Sequence, residues 1–101
     1  MAKITKAVAR TRLADVPQEE KQFWCCNGSV LKSLAELKLA LEQMSEETFC
    51  YHSSQTKSDF SNWVKDVIGD EMLAKDLSTS KTRAQAAKAV VDRILWLKNV
   101  K

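Results

Sequence analysis

Hydrophobic residues recur at helical spacing over most of the chain after residue 33. The first such run begins with "SLAE", a capping box in which the Ser33 side chain accepts from the Glu36 amide and the Glu36 carboxylate reaches back. The leucines that follow recur every three or four residues, which places them on one face of a helix. That predicted buried face consists of Leu34, Leu37, Leu41 and Met44.

Two further helix starts follow this run. "SEET" begins a short helix at Ser45 that places Phe49 and His52 on one face. After the polar stretch "SSQTKSD", which predicts a loop, Ser58 or Asp59 is expected to cap a third helix. The predicted buried face of that third helix is Phe60, Trp63, Val64 and Val67.

Gly69 predicts the end of the third helix, because glycine tolerates the left-handed backbone of a C-terminal cap, and Asp70 predicts the start of another helix. The predicted buried residues of this fourth helix are Met72, Leu73 and Leu77. Thr79 or Ser80 is then expected to cap the longest helix, over residues 81–98. Its predicted buried stripe is Ala84, Ala87, Val91 and Ile94, widened by Val90 and Leu97.

The chain before residue 33 shows no convincing helical period. Residues 1–16 are small, basic and β-branched with few large apolar side chains, which predicts a basic N-terminal arm that orders only weakly by itself. Pro17 is placed to open a short helix through Glu20, and "QFWCCNGS" suits an extended piece without an obvious partner strand. The predicted fold class is all-α: one domain over residues 17–101, a compact bundle of four to five short helices, preceded by the arm.

Composition agrees with a single helical core. The chain has 101 residues, enough for one domain, and its 45% hydrophobic content is ordinary for a globular protein. Two glycines and one proline are too few for the tight turns of an all-β sandwich or barrel. Apolar runs stay far below the ~20 residues that cross a bilayer, so we expect no membrane insertion and a cytoplasmic location.

Part of the chain resembles a known family. The positions that carry the resemblance are mostly core and capping residues, namely Phe23, Gly28, Ser33-Leu34, Glu36-Leu37, Leu41, Phe49, His52, Asp59-Phe60, Trp63, Val67, Gly69-Asp70 and Leu73-Ala74. The most distinctive stretch is "DFSNWVKDVIGDEMLA". Over about residues 22–78, the chain resembles a small domain of unknown function that is widespread in archaea and some bacteria. The resemblance implies a compact helical fold and no established activity.

The candidate metal ligands are Cys25, Cys26, Cys50 and His52. A tetrahedral zinc site needs four convergent donors, usually in pairs two to four residues apart. Adjacent cysteines diverge on an extended backbone, and residues two apart diverge on a helix, so we expect no metal site. An odd number of cysteines without an export signal also argues against a disulfide framework.

His52 is therefore expected to have a structural role. We expect its ring to pack beside Phe49 and Phe60, with a ring nitrogen bonded to Asp59 or to a helix cap. Serines near His52 come without a nucleophile elbow, and the two glycines are too few for a phosphate-binding loop. We therefore expect no enzymatic activity and no cofactor.

Positive charge is concentrated at the N-terminus. Residues 1–12 carry four basic residues and no acidic one, which leaves −1 on the rest of a chain whose net charge is +3. We expect a partner to recognise this arm together with exposed tryptophans. Trp96 lies between Leu95 and Leu97, so at least one of these three must point away from the stripe of Val91 and Ile94, and exposed aromatic area is typical of docking surfaces. The predicted partner-binding residues are Lys3, Ile4, Lys6, Val8, Arg10, Arg12, Leu13, Trp24 and Trp96.

These features together predict a small non-enzymatic accessory or regulatory protein that docks on a larger protein complex. An oxygen-sensitive energy-metabolism complex is the expected client if the host is an anaerobic archaeon. One alternative is a thiol module in which Cys25 and Cys26, near Lys21, respond to oxidation, or in which cysteine and histidine bind metal. A further alternative is weak nucleic-acid binding by the arm.

Overall fold

The computed structural model describes residues 5–25, 28–53 and 58–100. These residues form a mostly helical globule with one small hairpin. The elements in chain order are α1 (Lys6–Leu13), β1 (Phe23–Trp24), β2 (Val30–Leu31), α2 (Leu34–Gln43), α3 (Glu46–His52), α4 (Asp59–Trp63), α5 (Glu71–Thr79) and α6 (Arg83–Lys98). A 3-10 turn spans Glu19–Lys21, and a π-helical segment, Val64–Ile68, continues α4. The predicted helical bundle is confirmed.

The centre of the core lies between α2 and α6. Leu34, Leu37 and Leu41 of α2 are fully buried, as the leucine spacing predicts, and Met44 is buried beyond the end of the helix. At the start of α6, the Arg83 guanidinium donates to the carbonyl oxygen of Leu41 at 2.7 Å. The longest helix therefore starts beside the end of α2 and runs back along it.

Side-chain caps begin the helices where the sequence predicts them. Ser33, Ser45, Ser58 and Asp70 each accept a hydrogen bond from the backbone amide three residues later. The Glu36 carboxylate accepts from the Lys32 amide at 3.1 Å, one residue before the position of a standard capping box. These local bonds explain why four helix starts could be read from the sequence.

Gly69 makes the corner between α4 and α5. Its φ of +83° lies in the left-handed region that favours glycine, and its amide donates to the Val64 carbonyl at 2.7 Å. That bond reaches back five residues, which is why the last turn of this helix is of π type. Asp70 caps α5 at the next residue, so the two helices meet with no linker.

The start of α6 and the buried face of two helices differ from the prediction. Thr82, rather than Thr79 or Ser80, caps α6, because α5 continues through Thr79. Met72 was expected in the core but is 62% exposed. The buried face of α6 is Ala86, Val90, Ile94 and Leu97. An alanine-rich helix has weak amphipathicity, so its neighbours decide which face is buried.

The predicted extended piece has a strand partner. Phe23 pairs with Leu31 and Trp24 pairs with Val30 in an antiparallel hairpin. Its turn includes Gly28, whose φ is +92° and whose amide donates to the Cys25 carbonyl at 3.0 Å. The partner strand is only two residues long, so it has no alternating pattern that sequence analysis could detect.

The largest difference concerns the N-terminal arm. Residues 6–13 form α1, which packs against α6 and α2 and buries Ala9. Val16 is also buried, and its amide donates to the Lys32 carbonyl at 2.6 Å. Residues 5–16 therefore belong to the packed domain, because tertiary contacts stabilise a short helix that is marginal in isolation. Residues 1–4 of the predicted arm, including Lys3 and Ile4, lie outside the described residues.

Among the described residues, no helix is long and apolar enough to cross a membrane.

Two leucines of α2 provide a matched test of the core. Leu37 is fully buried, whereas Leu39 is 49% exposed on the same helix. We expect Leu37→Ala to lower the free energy of unfolding by about 2–5 kcal/mol, since it removes buried apolar atoms and leaves a cavity. Leu39→Ala should change it by no more than about 0.5 kcal/mol. Urea unfolding followed by circular dichroism measures both, and equal effects would contradict the assigned core.

Candidate functional site

The Asp70 carboxylate joins three helices at one buried point. Its side chain is 0% exposed, and Oδ1 accepts from the Leu73 amide at 3.1 Å, which caps α5. Oδ2 accepts from Nε of Arg93 on α6 at 2.7 Å. Nη1 of Arg12 on α1 lies 3.8 Å from the same oxygen, within ion-pair distance but beyond hydrogen-bonding distance. One carboxylate therefore connects α1, α5 and α6.

This cluster has more positive than negative charge. Two guanidinium groups, from Arg12 and Arg93, face the single Asp70 carboxylate, and no other carboxylate of the described residues forms an ion pair with either of them, so one positive charge is left uncompensated there. In addition, Nη2 of Arg93 is buried and has no hydrogen-bond partner within the described part of the chain. An unsatisfied buried donor costs about 1–3 kcal/mol relative to a satisfied one. The cluster therefore has an excess positive charge and an unsatisfied hydrogen-bond donor.

Trp96 lies over the arginine of this cluster. The Cζ atom of Arg93 is 4.4 Å from the centre of the Trp96 ring, within the range of a cation–π contact. The indole is nevertheless 49% exposed. Val8 is also partly exposed, one turn before Arg12 on the same flank of α1. We call the set Val8, Arg12, Asp70, Arg93 and Trp96 the Asp70 patch.

Three of the predicted partner-binding residues, Val8, Arg12 and Trp96, lie in this patch. Two others, Lys6 and Arg10, are exposed on the opposite flank of α1. The remaining described residue of the predicted arm set is Leu13, which is partly buried against the core. Folding therefore divides the predicted arm residues between two flanks and the interior.

The three tryptophans have different environments. Trp24 is exposed on the hairpin, where its Nε1 donates to the Glu19 carbonyl at 3.2 Å. Trp63 is buried, and its Nε1 donates to the Lys21 carbonyl at 2.8 Å. The prediction that Trp24 and Trp96 are the exposed pair agrees with the structure. No contact in the described residues links Trp24 to the Asp70 patch, so the two tryptophans are separate candidate surfaces.

The sequence prediction did not include Arg93 and treated Asp70 only as a helix cap. A signal for Arg93 was available, because it lies three residues after Val90 and four before Leu97, at the edge of the buried face of α6. A cation on a buried face requires a carboxylate partner. Identifying Asp70 as that partner required the tertiary structure, since 23 residues separate the two.

His52 has the structural role that the sequence predicts. It is buried, and its Nδ1 donates to Oδ2 of Asp59 at 2.9 Å. Its ring lies 5.1 Å from that of Phe23 and 5.5 Å from that of Phe60, while Phe49 stacks on Phe60 at 5.9 Å. The histidine thus helps to hold the hairpin, α3 and α4 together.

The two described cysteines differ in solvent exposure. Cys25 is buried in the core, Cys50 is exposed on α3, and both thiols are free. Cys26 lies outside the described residues. Over residues 5–25, 28–53 and 58–100, no group of three or more His, Cys, Asp or Glu side chains could hold a metal ion. Burial of Cys25 removes the solvent access that a reactive thiolate needs.

A shallow groove of about 430 Å³ lies on the outer side of α6, next to the end of α2. Its lining residues are Glu42, Arg83, Ala84, Ala87, Lys88 and Val91. Arg83 binds the last carbonyls of α2 and the Glu46 carboxylate, and Lys88 pairs with Asp92. The lining contains no hydroxyl, thiol or imidazole group.

No protein-family model, no curated protein and no solved structure matches this chain. The resemblance over residues 22–78 stays a prediction.

The Asp70 cluster can be tested by removing only its negative charge. Asp70→Asn keeps a good capping side chain for α5 but leaves the Arg93 guanidinium without a counter-charge. We expect the free energy of unfolding to fall by about 3 kcal/mol, the lower end for a broken buried pair because Arg93 keeps some exposure. Hydrogen exchange should rise most in α1.

The matched control is Asp92→Asn, which breaks the exposed pair with Lys88 on the surface of α6. Its effect should stay within about 0.5 kcal/mol. Equal destabilisation by the two variants in urea unfolding would show that Asp70 has no special role.

Proposed function

We propose that the protein is a non-enzymatic accessory or regulatory protein that docks on a larger protein partner through the Asp70 patch. The observation that supports this most directly is the half-exposed Trp96, held against the Arg93 guanidinium on a long helix. Tryptophan and arginine are the residue types most enriched at the energetic centres of protein interfaces. A large aromatic side chain on a fixed backbone also loses little conformational entropy on binding.

The α1 residues of the Asp70 patch also suit a protein interface. Val8 adds apolar surface, and Arg12 adds a cation that is 20% exposed. Arg12 is held by the packing of α1 on α6, so this part of the predicted arm is already ordered before a partner arrives. An ordered surface binds at lower entropic cost than a segment that must fold on its partner.

Charge distribution supports a protein partner over a nucleic acid. Nucleic-acid affinity depends on several basic groups that contact successive phosphates. Arg12 and Arg10 are on opposite flanks of α1, so they do not form one basic row. The Asp70 patch has one uncompensated positive charge, which is too few for a phosphate-binding surface.

Co-purification from the native host tests the docking proposal. We expect a tagged protein to recover a defined larger protein complex, and Trp96→Ala to reduce recovery at least about tenfold, since truncation of an interface tryptophan commonly costs 2 kcal/mol or more. Met72→Ala is the control, because Met72 is an exposed apolar residue on α5 outside the patch. Trp24→Ala tests the hairpin surface separately.

Point variants are preferable to deletion of the N-terminus, since deletion would remove α1 and expose the core around Ala9. Recovery of free protein only, under all growth conditions, would contradict the proposal. Recovery that is equally reduced by Met72→Ala and Trp96→Ala would contradict the assignment of the surface. Recovery of nucleic acid, lost steeply with added salt, would favour the nucleic-acid alternative.

A further inference from the structure

We propose that the Asp70 patch is a receptor for a carboxylate, supplied by an aspartate or glutamate side chain of the protein partner. The carboxylate would bind between Arg12 and Arg93, beside the Trp96 ring. The inference rests on the proposed docking function and specifies the chemistry of the group that docks.

The arginines of the Asp70 patch outnumber its carboxylate. Asp70 neutralises only one of the two guanidinium groups that face it. A second carboxylate would complete the balance, in a site partly shielded from water where charge-assisted hydrogen bonds are strong. The partner is therefore expected to present an acidic residue rather than a neutral one.

Asp70 forms a hydrogen bond with only one of the two arginines. Its Oδ1 accepts from the Leu73 amide and its Oδ2 accepts from Nε of Arg93. The Arg12 guanidinium remains 3.8 Å away, and its side chain forms no hydrogen bond with any group in the described residues. A guanidinium has five N–H donors in a planar fork that suits a carboxylate, so Arg12 has donors available.

Nη2 of Arg93 is buried and has no hydrogen-bond partner among the described residues. Trp96 lies over this guanidinium and is itself half exposed. Because Nη2 is buried, a side-chain movement on binding would be needed to give an incoming group access to it. A carboxylate held by Arg12 could then accept from Nη2 as well, while Trp96 packs against the aliphatic part of the partner's side chain. The two arginines would act together as a clamp.

A peptide carboxylate fits these features better than a nucleic-acid phosphate. One face of the Trp96 ring is already occupied by Arg93, which reduces the surface available for base stacking. The other exposed bases of α1, Lys6 and Arg10, lie on the far flank and cannot contact phosphates next to one bound at Arg12.

Nuclear magnetic resonance titration tests the proposal with a short poly-L-glutamate peptide as the probe. We expect the Nε–H signals of Arg12 and Arg93 and the indole N–H signal of Trp96 to shift and saturate together. A neutral glycine–serine peptide of equal length should leave them unchanged. A single-stranded oligonucleotide of similar charge should bind more weakly than the glutamate peptide.

Two arginine variants separate a specific site from general charge attraction. Arg12→Gln should weaken poly-glutamate binding roughly tenfold, as expected for loss of a charge-assisted hydrogen bond. Arg10→Gln removes the same charge from the same helix on the opposite flank and should change affinity by less than about twofold. If Arg12→Gln fails to fold, the saturating shifts of Arg93 and Trp96 in the unmodified protein still decide the question.

Several outcomes would overturn the inference: absence of poly-glutamate binding, equal effects of the two arginine variants, shifts confined to Lys6 and Arg10, or tighter binding of the oligonucleotide. The peptide titration and the co-purification experiment can fail independently of each other. If poly-glutamate does not bind but Trp96→Ala still abolishes co-purification, the docking surface stands and its acidic ligand does not. If poly-glutamate binds at Arg12 but no complex is recovered, the receptor stands and the proposed partner does not.

Discussion

The buried carboxylate of Asp70 constrains the arrangement of the three helices around it. A fully buried carboxylate is unfavourable unless cations and hydrogen-bond donors compensate for its lost hydration. Here the compensation comes from the Leu73 amide in its own helix, from Arg93 on α6 and from Arg12 on α1. If any of these helices moved, the buried Asp70 carboxylate would lose a partner that compensates for its lost hydration. The relative positions of the three helices are therefore coupled.

Hydrophobic burial and this polar cluster have different roles. The leucines of α2 and the buried face of α6 provide the main stabilisation of the fold. This stabilisation depends on the apolar area that is buried and tolerates changes in the exact shape of the side chains. The Asp70 cluster depends on distance and direction, so it selects one packing of α1 from those that the core alone would allow. The same cluster links Arg12 to Trp96 through Asp70 and Arg93, which connects the packing of the N-terminal helix to the proposed docking surface.

A second polar pair, His52 and Asp59, helps to hold the hairpin, α3 and α4 together. It lies among Phe23, Phe49 and Phe60 and contacts the hairpin as well as two helices. A histidine surrounded in this way contributes to packing and to hydrogen bonding. His52, a candidate metal ligand in the sequence, therefore stabilises the fold, while the proposed binding chemistry belongs to Arg12, which the sequence predicts as a partner-binding residue, and to Arg93, which it does not.

Local interactions were readable from the sequence alone: the capping serines, Asp70 as a cap, the glycine at the helix corner, the leucine face of α2 and the bond from His52 to Asp59. Each joins residues fewer than ten positions apart, where side-chain type and spacing determine geometry. The tertiary structure decided the rest: which face of the alanine-rich α6 is buried, the helical state of residues 6–13, the pairing of β1 with β2, and the meeting of Arg12, Asp70 and Arg93. Those features are stabilised by contacts between residues that are distant in sequence. A local sequence pattern therefore does not predict them.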